Sequence, residues 1–167
     1  MKEYKTNELK NISLLGNAGS GKTTLAEAML YNAGTIKRRG EVESKNTVSD
    51  YREVEHEQGN SVISTVLYAE WKKHKLNIVD APGADDFVSG AVNALQVVDS
   101  SLLVVNAQNG VEVGTEIMWR HLEKHNKPTV FVVNQLDHDK ANYEKTLEDL
   151  KNAFGNSVVQ VQYPVAV

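Results

Sequence analysis

The chain has 167 residues, of which 41% are hydrophobic and 24% charged, with a formal net charge of −4 and no cysteine. This length and composition fit one globular domain with a single core, and the net charge argues against electrostatic binding of nucleic acid by the whole domain. The lack of cysteine excludes disulfides and thiolate metal sites and fits a reducing cytoplasm. The sequence has no signal peptide and no apolar run of membrane-spanning length, so a membrane is not expected as a partner. Because of the net charge, DNA is not expected as a partner either.

Strand and helix patterns alternate along the chain. After a polar, loose lead-in at residues 1–10, the apolar run 12–15 predicts a buried strand. Residues 24–31 carry apolar side chains at helical spacing and predict a helix, which Gly34 ends. Residues 35–60 are polar and without a clear period, which is typical of a functional or disordered connection.

The rest of the chain continues this alternation. Residues 61–71 and 75–79 predict a hairpin near an edge of the sheet, because the first of them alternates polar and apolar side chains. Further helices are predicted at 87–98, 112–125 and 141–154, and further strands at 102–105, 130–133 and 158–162. This order predicts a doubly wound, mostly parallel α/β sheet with helices on both faces and a ligand site at the carboxyl ends of its strands.

The run Gly16-Asn17-Ala18-Gly19-Ser20-Gly21-Lys22-Thr23 matches the phosphate-binding pattern G-x-x-x-x-G-K-[ST] between a strand and a helix. Its glycines let backbone N–H groups point at phosphate oxygens, and the helix adds the positive end of its dipole. Lys22 is expected to reach the β- and γ-phosphates, and the Thr23 hydroxyl to bind Mg²⁺. The expected nucleotide contacts are Asn17, Ala18, Gly19, Ser20, Gly21, Lys22, Thr23 and Thr24.

Two later stretches narrow the choice of nucleotide. In Asp80-Ala81-Pro82-Gly83, Asp80 would hold Mg²⁺ through water and the Gly83 N–H would meet the γ-phosphate, although a plain strand-ending turn can have the same sequence. In Asn134-Gln135-Leu136-Asp137, the Asp137 carboxylate can accept from two guanine N–H groups that adenine lacks. A helix-capping turn is the alternative interpretation of the second stretch. Together, and in this order, the three motifs predict guanine-nucleotide binding.

Residues 16–25, 50–61, 80–87, 110–119 and 134–137 resemble motifs of the elongation factor G family of translational GTPases, and the likeness covers essentially the whole chain. The resemblance implies a P-loop GTPase fold that binds GTP or GDP with Mg²⁺. It also implies Ser61 as a further Mg²⁺ ligand, and a cytoplasmic factor that binds the ribosome and acts in translocation. Residues 1–167 would then be an incomplete guanine-nucleotide domain, without the later strand and helix of that domain and with an apolar sheet face exposed.

The chain departs from that family where GTP is hydrolysed. The family has D-T-P-G-H, whose histidine orients the attacking water, whereas Ala84 follows Gly83 here and its methyl group cannot hydrogen-bond water. The R-G-I-T of switch I is Gln58-Gly59-Asn60-Ser61. Three expected nucleotide contacts also differ from the family. Ala18 replaces a bulky apolar residue, Gly19 replaces an aspartate, and Gln135 replaces a lysine. No catalytic residue is therefore assigned, and hydrolysis is expected to be weak or lost.

Three functions remain open from the sequence alone. The first is a GTP-binding translation factor with little hydrolysis. The second is an active ribosome-stimulated GTPase of the same family, in translocation or ribosomal protection, with His56 or Asp85 replacing the histidine. The third is an unrelated P-loop kinase or ATPase, which a preference for ATP would indicate. The basic clusters Lys37-Arg38-Arg39 and Lys72-Lys73-His74-Lys75 are interpreted as solvated turn charges.

Overall fold

The computed structural model describes residues 2–83 and 88–165. Within these residues the strands are β1 (Leu9–Leu15), β2 (Thr65–Trp71), β3 (His74–Asp80), β4 (Ser100–Asn106) and β5 (Thr129–Asn134). The helices are α1 (Lys22–Asn32), α2 (Glu53–Gln58), α3 (Val88–Val97), α4 (Val113–Lys124) and α5 (Tyr143–Phe154), after a short 3-10 turn at Thr6–Glu8.

The sheet has the strand order β2-β3-β1-β4-β5. The β2–β3 pair is antiparallel, and the other neighbouring pairs are parallel. The predicted mostly parallel α/β sheet is therefore confirmed, with the predicted hairpin at one edge. Because β1, β3, β4 and β5 run in the same direction, the loops that follow them gather at one end of the sheet.

β1 lies at the centre of the sheet and is covered on both faces. Leu14 and Leu15 are adjacent, so their side chains point to opposite faces, and neither is exposed (0%). Leu14 packs against α1, in a cluster with Ala26, Leu30, Leu67, Ala69 and Ile78. Leu15 packs against α3 and α4, in a cluster with Ala81, Ala91, Leu95, Leu103, Met118 and Leu122. Burial on both faces explains why residues 12–15 are apolar apart from Ser13, whose buried hydroxyl hydrogen-bonds with that of Ser101 at 2.7 Å.

The predicted strand at 158–162 is wrong. The structure has no strand there, and among the described residues β5 pairs with β4 alone. The segment is instead held by side chains: Val158 packs against Val105 and Leu150, and the Tyr143 hydroxyl donates to the carbonyl oxygen of Gln162 at 3.1 Å. Valine-rich composition favours extended backbone, but a strand also needs a partner for its backbone hydrogen bonds.

Two further features differ from the predictions. β1 begins inside the polar lead-in, because Leu9 and Lys10 pair with Lys75 and Leu76 of β3. The connection at 35–60 contains the short helix α2, which has too few apolar residues to show a period and ends at Gly59 with a φ of +64°. The predicted start of the helix at 87–98 lies in residues 84–87, which are outside the described residues.

Candidate functional site

The loop between β1 and α1 depends on glycine at two positions for both conformation and space. Gly16 and Gly21 have φ values of +140° and +89°, a region in which side chains are disfavoured. A Cβ on Gly16 would lie 2.2 Å from the carbonyl oxygen of Val104, and one on Gly21 would lie 2.4 Å from Nδ2 of Asn134. The loop therefore packs tightly between the ends of β4 and β5.

The Lys22 side chain folds back over this loop. Its amine donates to the carbonyl oxygens of Gly16 at 3.1 Å and Asn17 at 2.9 Å, and the residue is 6% exposed. Burial lowers the pKa of Lys22 to about 8, although the carboxylates of Asp80 and Asp50 act in the opposite direction. A Cβ on Gly83 would lie 2.2 Å from the Lys22 amine, so the D-x-x-G turn lies directly against it.

Three segments meet at the Asp80 carboxylate, which is buried at the end of β3. The Thr23 hydroxyl donates to Asp80 Oδ2 at 2.9 Å, and the Ser49 hydroxyl donates to the same oxygen at 2.7 Å. The Ser61 hydroxyl lies 3.3 Å from the Thr23 hydroxyl. The structure thus brings together Thr23, Ser61 and Asp80, the three residues predicted to hold Mg²⁺.

The donor set at this point fits a small divalent cation. Asp80 Oδ1 and Asp50 Oδ1 are buried and have no hydrogen-bond partner among the described residues. Burial raises the pKa of Asp80 to about 6, and a nearby cation would lower it. Hydroxyl and carboxylate oxygens suit Mg²⁺, which keeps several waters and shares its remaining ligands with phosphate. Residues 2–83 and 88–165 contain no group of three or more His, Cys, Asp or Glu side chains that could hold a metal ion.

Asn134 and Gln135 hold the phosphate-binding loop from the β5 side. The Asn134 amide donates to the carbonyl oxygen of Ser20 at 2.9 Å, and the Gln135 amide donates to that of Gly19 at 3.0 Å. Gln135 also accepts from the Asn106 amide at 2.5 Å and so connects the end of β4 to the loop. Gln135 stands where the resembling family has lysine, and it contacts the loop through neutral hydrogen bonds. Asp137 is exposed in the turn that follows.

A cavity of about 230 Å³ lies among these segments. Of the predicted site residues, it is lined by Ala18, Gly19, Gly21, Lys22, Thr23, Thr24, Ser61, Gly83 and Gln135. Asn17 and Asp80 do not line the cavity but hydrogen-bond to Lys22 and Thr23, which do, and Asn134 hydrogen-bonds to Ser20 in the same loop. Asp137 is not among the described residues that line the cavity. Ala84, predicted at the position of the catalytic histidine, lies outside the described residues, as does Asp85.

Further residues at the site lie in the 35–60 connection and at the end of β4, where the sequence motifs did not predict them. Val42, Glu43 and Asp50 line the cavity, Ser49 contacts Asp80, and Asn106 contacts Gln135. Asp50 could have been found, because it lies in one of the stretches that resemble the family. For Ser49 and Asn106, no periodicity or spacing signal exists, because their contacts are made across long sequence separations.

Residues 7–167 match the Elongation factor Tu GTP binding domain. The chain belongs to this family. As an elongation factor Tu GTP binding domain, it has the P-loop GTPase fold, and the family implies that it binds guanine nucleotide. It is 33% identical over 157 residues to Elongation factor G 2 of Borreliella afzelii, a match that covers 94% of this chain and 24% of that protein.

Two further relatives of this GTP binding domain extend the comparison. The chain is 36% identical over 160 residues to the mitochondrial Ribosome-releasing factor 2 of Drosophila melanogaster, covering 96% of this chain and 22% of that one. The chain is also 40% identical in sequence to a protein from Thermus thermophilus, whose crystal structure is similar to this one with a TM-score of 0.84. That match covers 87% of this chain and 22% of the Thermus thermophilus chain. The chain therefore spans less than a quarter of the length of these relatives. No helix within residues 2–83 and 88–165 has the length and apolar character needed to cross a membrane.

Proposed function

We propose that this domain binds GTP and GDP with Mg²⁺ in a cytoplasmic translation factor that acts on the ribosome in translocation, and that it hydrolyses GTP slowly. The observation that carries the proposal is the convergence of Lys22, Thr23, Ser61 and Gly83 on one cavity. Asn134 and Gln135 hold the same loop from the side expected for the base. The names of the relatives, an elongation factor G and a ribosome-releasing factor, support the ribosome as the partner.

The phosphate side of the site is built for negative charge. The Lys22 amine and the backbone N–H groups of the loop would contact the β- and γ-phosphates. Gly83 lies close enough to Lys22 and to the Ala18 N–H for its own N–H to contact the same phosphate. When bound, Mg²⁺ neutralises charge on the phosphates. The Thr23 and Ser61 hydroxyls would hold it directly, and Asp80 through a water molecule.

Slow hydrolysis is inferred from the groups available to orient water. The Ala84 side chain cannot hydrogen-bond to water, and the alternative residue His56 is engaged elsewhere, since its Nε2 donates to the carbonyl oxygen of Asp50 at 2.8 Å. His56 is not among the described residues that line the cavity, whereas Asn60 is. Loss of a positioned group in phosphoryl transfer costs several orders of magnitude in rate.

Two measurements test this proposal. In a titration with fluorescent analogues, we expect GTP and GDP to bind and ATP not to compete; an ATP preference would instead support a P-loop kinase or ATPase. Asp137→Asn should lower the affinity for GTP by about tenfold or more because it removes a charged acceptor, while Asp139→Asn in the same exposed turn should not.

Turnover is tested with the intact protein and purified ribosomes. We expect phosphate release well below that of an ordinary elongation factor G, and Ala84→His should raise it because it restores a side chain that can orient water. Rapid release by the unaltered protein, with no gain from Ala84→His, would support an active GTPase and contradict slow hydrolysis.

A further inference from the structure

The loop at residues 40–48 forms part of the wall of the nucleotide cavity. Val42 and Glu43 line the cavity together with Lys22 and Thr24 of α1. The loop also closes on itself. The Glu41 N–H donates to Asn46 Oδ1 at 2.7 Å, and a Cβ on Gly40 would lie 2.6 Å from the carbonyl oxygen of Asn46.

One buried carboxylate holds both ends of this loop. Glu27 lies on α1, four residues after Thr23, and is 1% exposed. Its Oε2 accepts from the Gly40 N–H at 2.8 Å, and its Oε1 accepts from the Val48 N–H. None of the ion pairs among the described residues includes Glu27. A buried carboxylate is costly unless its oxygens are hydrogen-bonded, so these two bonds account for the presence of Glu27 in the interior.

The contact at Val48 continues directly into the proposed Mg²⁺ site. The next residue, Ser49, donates through its hydroxyl to Asp80, and its carbonyl oxygen accepts from the Thr65 hydroxyl at 3.1 Å. Asp50 follows and lines the cavity. The Glu27 carboxylate therefore connects the helix that carries Lys22 and Thr23 to the backbone that carries Ser49 and Asp50.

We propose that Glu27 is a positioning residue that holds loop 40–48 against the nucleotide cavity and thereby slows the release of bound nucleotide. The inference rests on the proposed nucleotide binding. A carboxylate suits this role because both of its oxygens accept, whereas an amide of the same shape presents one acceptor and one donor. In Glu27→Gln, one of the two backbone N–H groups then faces an N–H donor and loses its partner.

The first test is residue-resolved amide hydrogen exchange on the chain without nucleotide. In Glu27→Gln we expect exchange at Gly40 and Val48 to be faster by about tenfold or more, with α1 amides unchanged, because the opening is local. Glu55→Gln is the matched control: Glu55 is also 1% exposed, and its Oε1 accepts from the Val62 and Ile63 N–H groups at 3.3 Å. It should loosen Val62 and Ile63 and leave Gly40 and Val48 protected.

The second test is the release rate of an N-methylanthraniloyl-labelled GDP, which we expect to rise about fivefold or more in Glu27→Gln. Leu150→Val, which alters the core beneath α5, controls for a general loss of stability and should leave this rate unchanged. Unchanged exchange at Gly40 and Val48, unchanged release from a loosened loop, or equal effects of Leu150→Val would each overturn the inference. If the unaltered chain retained no nucleotide, the proposed function and the effect on release would fail, while exchange at Gly40 and Val48 would still decide whether Glu27 holds the loop.

Discussion

The two walls of the nucleotide cavity are built in different ways. The phosphate-binding loop is one contiguous stretch whose shape comes from its own glycines and from the ends of β4 and β5 against which it packs. The connection between α1 and β2 has one short helix, α2, and is held by buried acidic residues. Glu27 and Glu55 accept from its backbone N–H groups, and Asp80 accepts from its Ser49 hydroxyl. The first wall carries a recognisable sequence motif, whereas the second depends largely on single side chains, such as Glu27 and Asp80, that lie on other elements.

The largest expected effect is on the first wall, at Lys22. Lys22→Ala removes the buried amine expected to meet the phosphates, so nucleotide affinity should fall by about a hundredfold or more. Titration with a fluorescent GDP analogue measures this fall. Lys37→Ala, at an exposed lysine outside the cavity, is the control. A loss of less than about threefold at Lys22 would mean that the amine does not contact the ligand.

The next largest effect on nucleotide affinity is expected at Gly83, and a comparison with Gly19 separates steric crowding from backbone strain. Gly83→Ala would place a Cβ 2.2 Å from the Lys22 amine and 2.8 Å from the Ala18 nitrogen, whereas a Cβ on Gly19 meets nothing within 4 Å. We expect Gly83→Ala to weaken binding about tenfold or more, because Lys22 must move away. Gly19→Ala should cost about 1 kcal/mol of folding stability from its φ of +74° and affect binding less. The reverse order in the same titration would contradict this account.

The smallest effect probes the second wall. Ser49→Ala removes a buried hydrogen bond to Asp80 and should lower the free energy of unfolding by about 1 kcal/mol. Ser44→Ala removes an exposed hydrogen bond to Glu41 and should change it by less than about 0.5 kcal/mol. Urea denaturation of both variants measures the difference. Equal values would show that the Ser49 contact does not stabilise the connection.

The contrast between the walls also explains what could be predicted from the sequence. The proximity of Lys22, Thr23 and Asp80 could be predicted, because the loop motif and the D-x-x-G turn each follow a strand in a parallel sheet whose loops share one end. Glu27 and Ser49 could not be assigned, because nothing near them in sequence identifies their partners. The prediction of a strand at 158–162 was wrong for a related reason. The valines of this segment favour extended backbone, but they do not specify a neighbouring strand.

Gln135 has a consequence for how the site responds to its surroundings. Its amide links Gly19 in the phosphate-binding loop to Asn106 at the end of β4 without any ionic contact. Attraction between ionised groups weakens as electrolyte is added, whereas a bond between neutral amides and carbonyls is largely indifferent to it. The contacts of Gln135 with Gly19 and Asn106 should therefore keep their geometry from low to high salt concentration.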